Sequence, residues 1–157
     1  MADEKNMVQA MQMYRQMCAV LEERGWSFDR DDERLLVYFG VHGDDIPMKF
    51  IMVVEPDREL VRLMSMLPFE MSESKRVEGA IAACAISNVL AEGNFDYDLS
   101  DGKLTYRLVQ SYKDSQIGNG LLHHMISMAC AVVDHYNEKL LALDKGYLSM
   151  EQFLENI

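Results

Sequence analysis

Residues 93–112, GNFDYDLSDGKLTYRLVQSY, decide the fold class of this chain. Phe95, Tyr97 and Leu99 alternate with Asn94, Asp96 and Asp98, and beyond Asp101-Gly102 the residues Leu104, Tyr106 and Leu108 alternate with Thr105 and Arg107. A period of two sends alternate side chains to one face of a strand, so the pattern predicts a β-hairpin with one buried face. Asp-Gly suits a two-residue turn, because both central positions need positive φ, which Gly accepts freely and Asp tolerates. Such a turn sets Leu99 opposite Leu104, Tyr97 opposite Tyr106 and Phe95 opposite Leu108, with Asp96 opposite Arg107 on the solvent face. A slip of one residue would turn the aromatic set into water.

The flanks of the hairpin read as helices. Before it, Ser72 or Ser74 offers an N-cap for a helix over 77–92 that Gly93 ends. Gly79, Ala80, Ala82, Ala83, Ala85 and Ser87 give this helix small side chains, which predicts close approach to the sheet and the deepest burial of any helix; Asn88 reads as a tolerated polar residue. After the hairpin, a polar run at 113–116 leads to a long helix over 118–145, with Leu122, Met125, Ile126, Ala129, Val133, Tyr136, Leu140 and Leu143 in helical phase. Gly146 ends it, and Ser149 and Gln152 have capping-box spacing for a short last helix carrying Phe153.

Upstream, Met7, Met11, Tyr14, Cys18 and Leu21 fall on one face of a helix over 3–24, ended by Gly25. Met13, Met17 and Val20 widen its apolar stripe beyond one sheet contact, which leaves surface for a partner. Trp26 to Phe28 begins an extended pattern, the charged run 29–33 reads as a turn, and 35–41 resumes the strand with Leu35, Val37, Phe39 and Val41 on one face. The strand over 48–55 is apolar on both sides, with Phe50, Met52 and Val54 on one and Ile51 and Val53 on the other, so it is central or carries a second interface. Residues 58–67 fit a helix by periodicity. The short Glu55-Pro56-Asp57 connection and Pro68 favour a strand of hairpin length, with a loop over 68–74. The predicted order is α-ββββ-α-ββ-α: an α+β protein with an antiparallel sheet of five to six strands and helices packed on it, residues 1–157 forming one domain.

Composition narrows the function classes. With 157 residues, 49% hydrophobic, 26% charged and only 3 Pro, the chain is globular. A formal charge of −11 opposes phosphate backbones and anionic lipid, which excludes nucleic acid and membrane as partners. Cys18, Cys84 and Cys130 are far apart in helical segments and read as small core hydrophobes in a reducing compartment. The opening MADEKNMVQAM lacks a signal-peptide pattern, and no apolar run approaches a membrane span, so the expected location is cytoplasmic.

One family resemblance stands out. Leu67-Pro68, the helix running to Gly93, Asn94-Phe95-Asp96-Tyr97-Asp98, Asp101-Gly102 and Leu104-Thr105-Tyr106-Arg107, with Trp26 and the Gly146 region, resemble the YbjN family of bacterial proteins over about residues 10–147. That family carries the label of sensory-transduction regulator, and its fold is similar to that of type III secretion chaperones. Those chaperones are small, acidic, cytoplasmic dimers without enzymatic activity that hold unfolded segments of secreted proteins. The resemblance thus implies a non-enzymatic, chaperone-like or regulatory homodimer with a protein or peptide partner. It supplies no catalytic residues, and the 13 methionines here depart from the family pattern.

Constellations that could carry chemistry are sparse. His123 and His124 are adjacent and diverge by about 100° on a helix, His135 is three turns away, and no metal-ligand spacing occurs. The spacing of Asp29, Asp31, Asp32 and Glu33, of Asp44 and Asp45, and of Asp96 and Asp98 matches no calcium loop. Gly118-Asn119-Gly120 lacks the Lys of a phosphate loop, and no Ser has a nucleophile-elbow setting. No catalytic, cofactor or metal site is expected. The methionines point instead to a plastic protein-binding surface, for which Met7, Met11, Met13, Met17, Ile51 and Val53 are the candidates. Two alternatives are a small-ligand sensor or enzyme with a pocket between sheet and long helix, using His123 or His124, and a structural subunit of an assembly.

Overall fold

A computed structural model describes residues 4–157. The first helix, α1, spans Glu4–Glu23; its expected start at residue 3 lies outside the described residues. Gly25 closes it at φ +68, with its N–H and that of Trp26 donating to the Glu22 and Leu21 carbonyls. Six strands follow in two groups: β1 (Phe28–Asp31), β2 (Leu36–His42), β3 (Pro47–Glu55) and β4 (Leu60–Glu70), then β5 (Asn94–Tyr97) and β6 (Lys103–Ser111). They form one sheet in the order β1-β2-β3-β4-β6-β5, every neighbouring pair antiparallel. Between the groups lie a single 3-10 turn, Glu73–Lys75, and α2 (Arg76–Val89). The chain ends in α3 (Asn119–Lys145) and α4 (Met150–Glu155), the latter opened by the predicted Ser149–Gln152 capping box.

The segment with ambiguous periodicity is a strand, β4, and it lies between β3 and β6 in the sheet. Its odd-numbered residues Val61, Leu63, Ser65 and Leu67 are buried, and its even-numbered ones face the other way. Pro68 does not end it. The strand continues to Glu70 through a register shift between Met66 and Glu70, an irregularity that tolerates a residue with no N–H to donate. At the other end of the sheet, β1 takes in Asp29, Arg30 and Asp31, so the turn falls later than expected, at 32–35.

The hairpin of β5 and β6 exists, but in a register two residues away from the expected one. Phe95 stands opposite Tyr106 and Tyr97 opposite Leu104. The Asp98 carboxylate accepts from the Ser100 N–H at 2.9 Å and its hydroxyl at 2.6 Å, folding a loop across 98–102 that leaves Leu99 exposed. Gly102 takes φ +81 at the end of that loop. A shift of two keeps each side chain on its face, so Phe95, Leu104, Tyr106 and Leu108 are buried as the alternation requires.

All helical cover lies on one side of the sheet. There Val37, Phe39, Phe50, Met52, Val54, Val61, Leu63 and Leu104 share one core with the buried residues of α1 and α3, which pack on β3, β4 and β6. Phe39 stacks on Phe50 at 5.3 Å, and Phe95 meets the edge of Tyr136 at 6.2 Å. The most deeply placed helix is α3, with ten buried residues; α2 buries only Gly79, Ala82, Ala83 and Ile86. The small residues of α2 serve its packing at the sheet margin, on β5 and α4, and leave Val77, Ile81, Asn88 and Val89 exposed. The helix stops at Val89 and the chain is extended at Leu90, ahead of Gly93. Of the three cysteines, Cys18 is buried, Cys130 half-buried and Cys84 exposed, so Cys84 is no core residue.

Candidate functional site: the open face of the sheet

The strand alternation that feeds the core also builds a second surface. Pairing aligns Leu36, Val53, Arg62 and Val109 in one row across β2, β3, β4 and β6, and Tyr38, Ile51, Met64 and Arg107 in the next. No described helix covers these rows. Tyr38 is 41% exposed, Val109 38% and Met66 58%, while Leu36, Ile51, Val53 and Met64 are half-buried by one another. A bare sheet face this apolar marks an interaction surface more than a solvated one. Its two arginines are neutralised locally: Arg62 donates to Glu55 at 2.6 Å, and Arg107 grips Asp96 at 2.6 and 3.0 Å. That hydrogen bond holds the Asp96 carboxyl below the usual carboxylate range, against the opposing effect of burial.

At the β1 end of this face lies an open hollow of about 670 Å³, lined by Phe28, Tyr38, Gly40, Lys49, Ile51, Met66 and Pro68 among others. Gly40 stands opposite Lys49 in the β2–β3 pair.

The six residues expected to form the partner surface do not come together. Ile51 and Val53 lie side by side on the open face. Met7 is exposed and Met11 half-buried on α1, which packs on the covered side. Met13 and Met17 are 5% and 0% exposed: with Val20 they fill the space where α1 meets both the sheet and α3, and present no surface. The face also recruits Met64 and Met66, strand methionines outside those six, together with Tyr38 and Val109, for which the sequence reading had no signal.

The histidines have separate surface partners. His123 lies 3.0 Å from a Glu23 carboxylate oxygen, and His124 2.8 Å from one of Glu92. His135 meets Lys139 at 3.0 Å. Among the described residues no three His, Cys, Asp or Glu side chains gather in a way that could hold a metal ion. Burial pushes the Cys130 thiol up to about 11 and raises that of Cys18, which keeps both protonated at neutral pH.

Comparison with solved structures gives this arrangement its context. The structure of YbjN from E. coli, described as a proposed transcription regulator, superposes with a TM-score of 0.62 at 13% identity, over 85% of this chain and 92% of that one. The fold is YbjN-like. The ExsC–ExsE complex is similar at a TM-score of 0.50 and 14% identity, covering 82% and 93% of the two chains. A chaperone–effector complex, HopA1–SchA, has a TM-score of 0.48 and 12% identity over 90% and 95%. No family model matches the sequence, and no curated protein is similar to it in sequence. The YbjN-like likeness therefore rests on strand order and helix placement, with little shared side-chain identity. No described helix is long and apolar enough to cross a membrane.

Proposed function

We propose that this chain is a non-enzymatic protein-binding module, chaperone-like or regulatory, that holds a segment of another protein on the open face of its sheet. The observation that carries the reading is the pair of uncovered apolar rows through Tyr38, Ile51, Met64, Val53 and Val109 on an otherwise helix-packed YbjN-like fold. A structure of similar fold was solved as a two-protein complex, which supports a protein partner. The charge of −11 speaks against DNA as the ligand of a regulator with this fold. Residues 1–157 act as one unit in this reading, as a cytoplasmic homodimer.

The test is recovery of a partner from the native host by tagged wild-type protein and by a variant carrying Ile51→Asp and Met66→Asp. Both positions are off the covered core; a circular dichroism melt of the variant shows that it is folded at the assay temperature. The reading expects a discrete protein on the wild type and its loss on the variant; equal recovery on both would remove the open face as the site. Sedimentation at micromolar concentration tests the dimer separately, and a monomer there overturns it.

A further inference from the structure

Gly40 is unexplained by the fold. It sits inside β2, has no positive φ, and a Cβ added there would meet nothing closer than the Met48 carbonyl oxygen at 3.7 Å. Neither backbone nor packing asks for glycine, and glycine inside a strand weakens it, which is why such a residue marks close approach by something else. What the missing side chain does produce is depth in the hollow on the open face, between Tyr38, Ile51, Met66 and Pro68. Beside it stands Lys49, exposed and with no ion pair among the described residues, whereas Arg62 and Arg107 on the same face are each held by a carboxylate. The hollow thus presents a cation that no carboxylate holds, with Asp29 on its other side.

We infer that the Gly40 hollow is an anchor pocket for one bulky apolar side chain of an extended protein segment, and that Lys49 pairs with a carboxylate in that segment. The inference rests on the protein-binding reading above and names the chemistry of its ligand. Gly40 and Lys49 are directly opposed on neighbouring strands, about 5 Å apart, and an extended chain advances about 3.3 Å per residue. The carboxylate therefore belongs within one or two residues of the anchor. Asp29, which also lines the hollow, stands on the β1 side and repels it from there, so the two charges place the carboxylate on the β3 side of the anchor.

The experiment is selection of phage-displayed random linear peptides on the purified protein, followed by anisotropy measurements with the most enriched sequences on wild type, Gly40→Trp and Lys49→Glu. The open position of a Gly40 Cβ lets the tryptophan fill the hollow without disturbing the fold, and circular dichroism melting confirms this for both variants. Enriched peptides are expected to share a large apolar residue with Asp or Glu within two positions. Gly40→Trp should weaken them by at least about tenfold, and Lys49→Glu should prefer the same peptides with Lys in place of the acid. Peptides that bind Gly40→Trp as well as wild type, with no charge preference, overturn the anchor pocket and leave the open-face reading intact. If no peptide is enriched on the wild type, both fall.

Discussion

Asp96 and Arg107 grip each other across the β5–β6 pair without being opposite one another: Asp96 faces Thr105, Arg107 faces Asn94, and the two hydrogen bonds of 2.6 and 3.0 Å run diagonally. The pair closes the open face at its β5 end. Because Arg107 lowers the Asp96 pKa below the unfolded value of 3.8, its stabilisation is fully present above that pH and is lost as pH falls through the lower folded value. Both side chains are more than a third exposed, so solvent screening limits the effect. Asp96→Asn should cost less than about 1 kcal/mol at neutral pH. The difference from wild type should begin to shrink as pH falls below 3.8 and close below the lower folded value; denaturant titrations over a descending pH series check both parts.

Two glycines should respond in opposite directions to an added Cβ. Gly40→Thr gains strand propensity and reduces the freedom of the unfolded chain, so it should stabilise by about 0.5–1 kcal/mol, raising Tm by about 1–4 °C. Gly102 is at φ +81 with its Cβ position against the Met71 backbone, whose N–H donates to the Gly102 carbonyl at 2.9 Å. Gly102→Ala should destabilise by about 2 kcal/mol or more. Thermal melts of the two variants beside wild type decide this.

Leu35 is buried at 4% exposure yet sits at φ 53, a left-handed conformation that β2 enters from the turn, while its carbonyl accepts from Val54 at 3.0 Å. Leu35→Ala should cost about 2–4 kcal/mol in lost burial and leave the strained backbone in place. Leu35→Gly loses one more carbon but relieves about 1–2 kcal/mol of left-handed strain. The glycine variant should therefore be as stable as the alanine variant or more so, the reverse of their usual order, as read from paired urea denaturation curves.

Cys84 is exposed on α2, whereas burial raises the pKa of Cys18 and brings Cys130 to about 11. Titration of the native protein with a disulfide reagent at mildly alkaline pH should show one fast thiol, abolished by Cys84→Ser. The other two should react only after denaturant is added. Two fast thiols would contradict the burial of Cys130.

The order of elements and the ends of α1 and α3 were legible because they rest on local chemistry: a period of two or of 3.6, and glycines at Gly25 and Gly146 that accept positive φ. The misplaced features were decided by interactions at longer range. The hairpin register follows from the Asp98 carboxylate capturing Ser100, which competes with the two-residue turn that Asp101-Gly102 favours alone. Small side chains on α2 signal close packing without saying that the helix sits at the margin of the sheet. Met13 and Met17 looked surplus because the stripe on α1 was matched to one neighbour, and the helix has two, the sheet and α3. For the candidate site, the two-sided apolar character of β3 did announce a second surface at Ile51 and Val53. Which face the helices would take, and hence the membership of Tyr38, Met64 and Met66, depends on the assembled layers.

The one-sided placement of the helices divides the sequence into two nearly separate texts written on the same strands. A substitution at Tyr38, Ile51 or Met66 alters no buried side chain that α1 or α3 packs on, and one at Met52 or Leu63 changes a side chain that points away from the outward rows. The outward text can thus be rewritten residue by residue, toward new partners by natural drift or by design, while the inward one keeps the architecture constant.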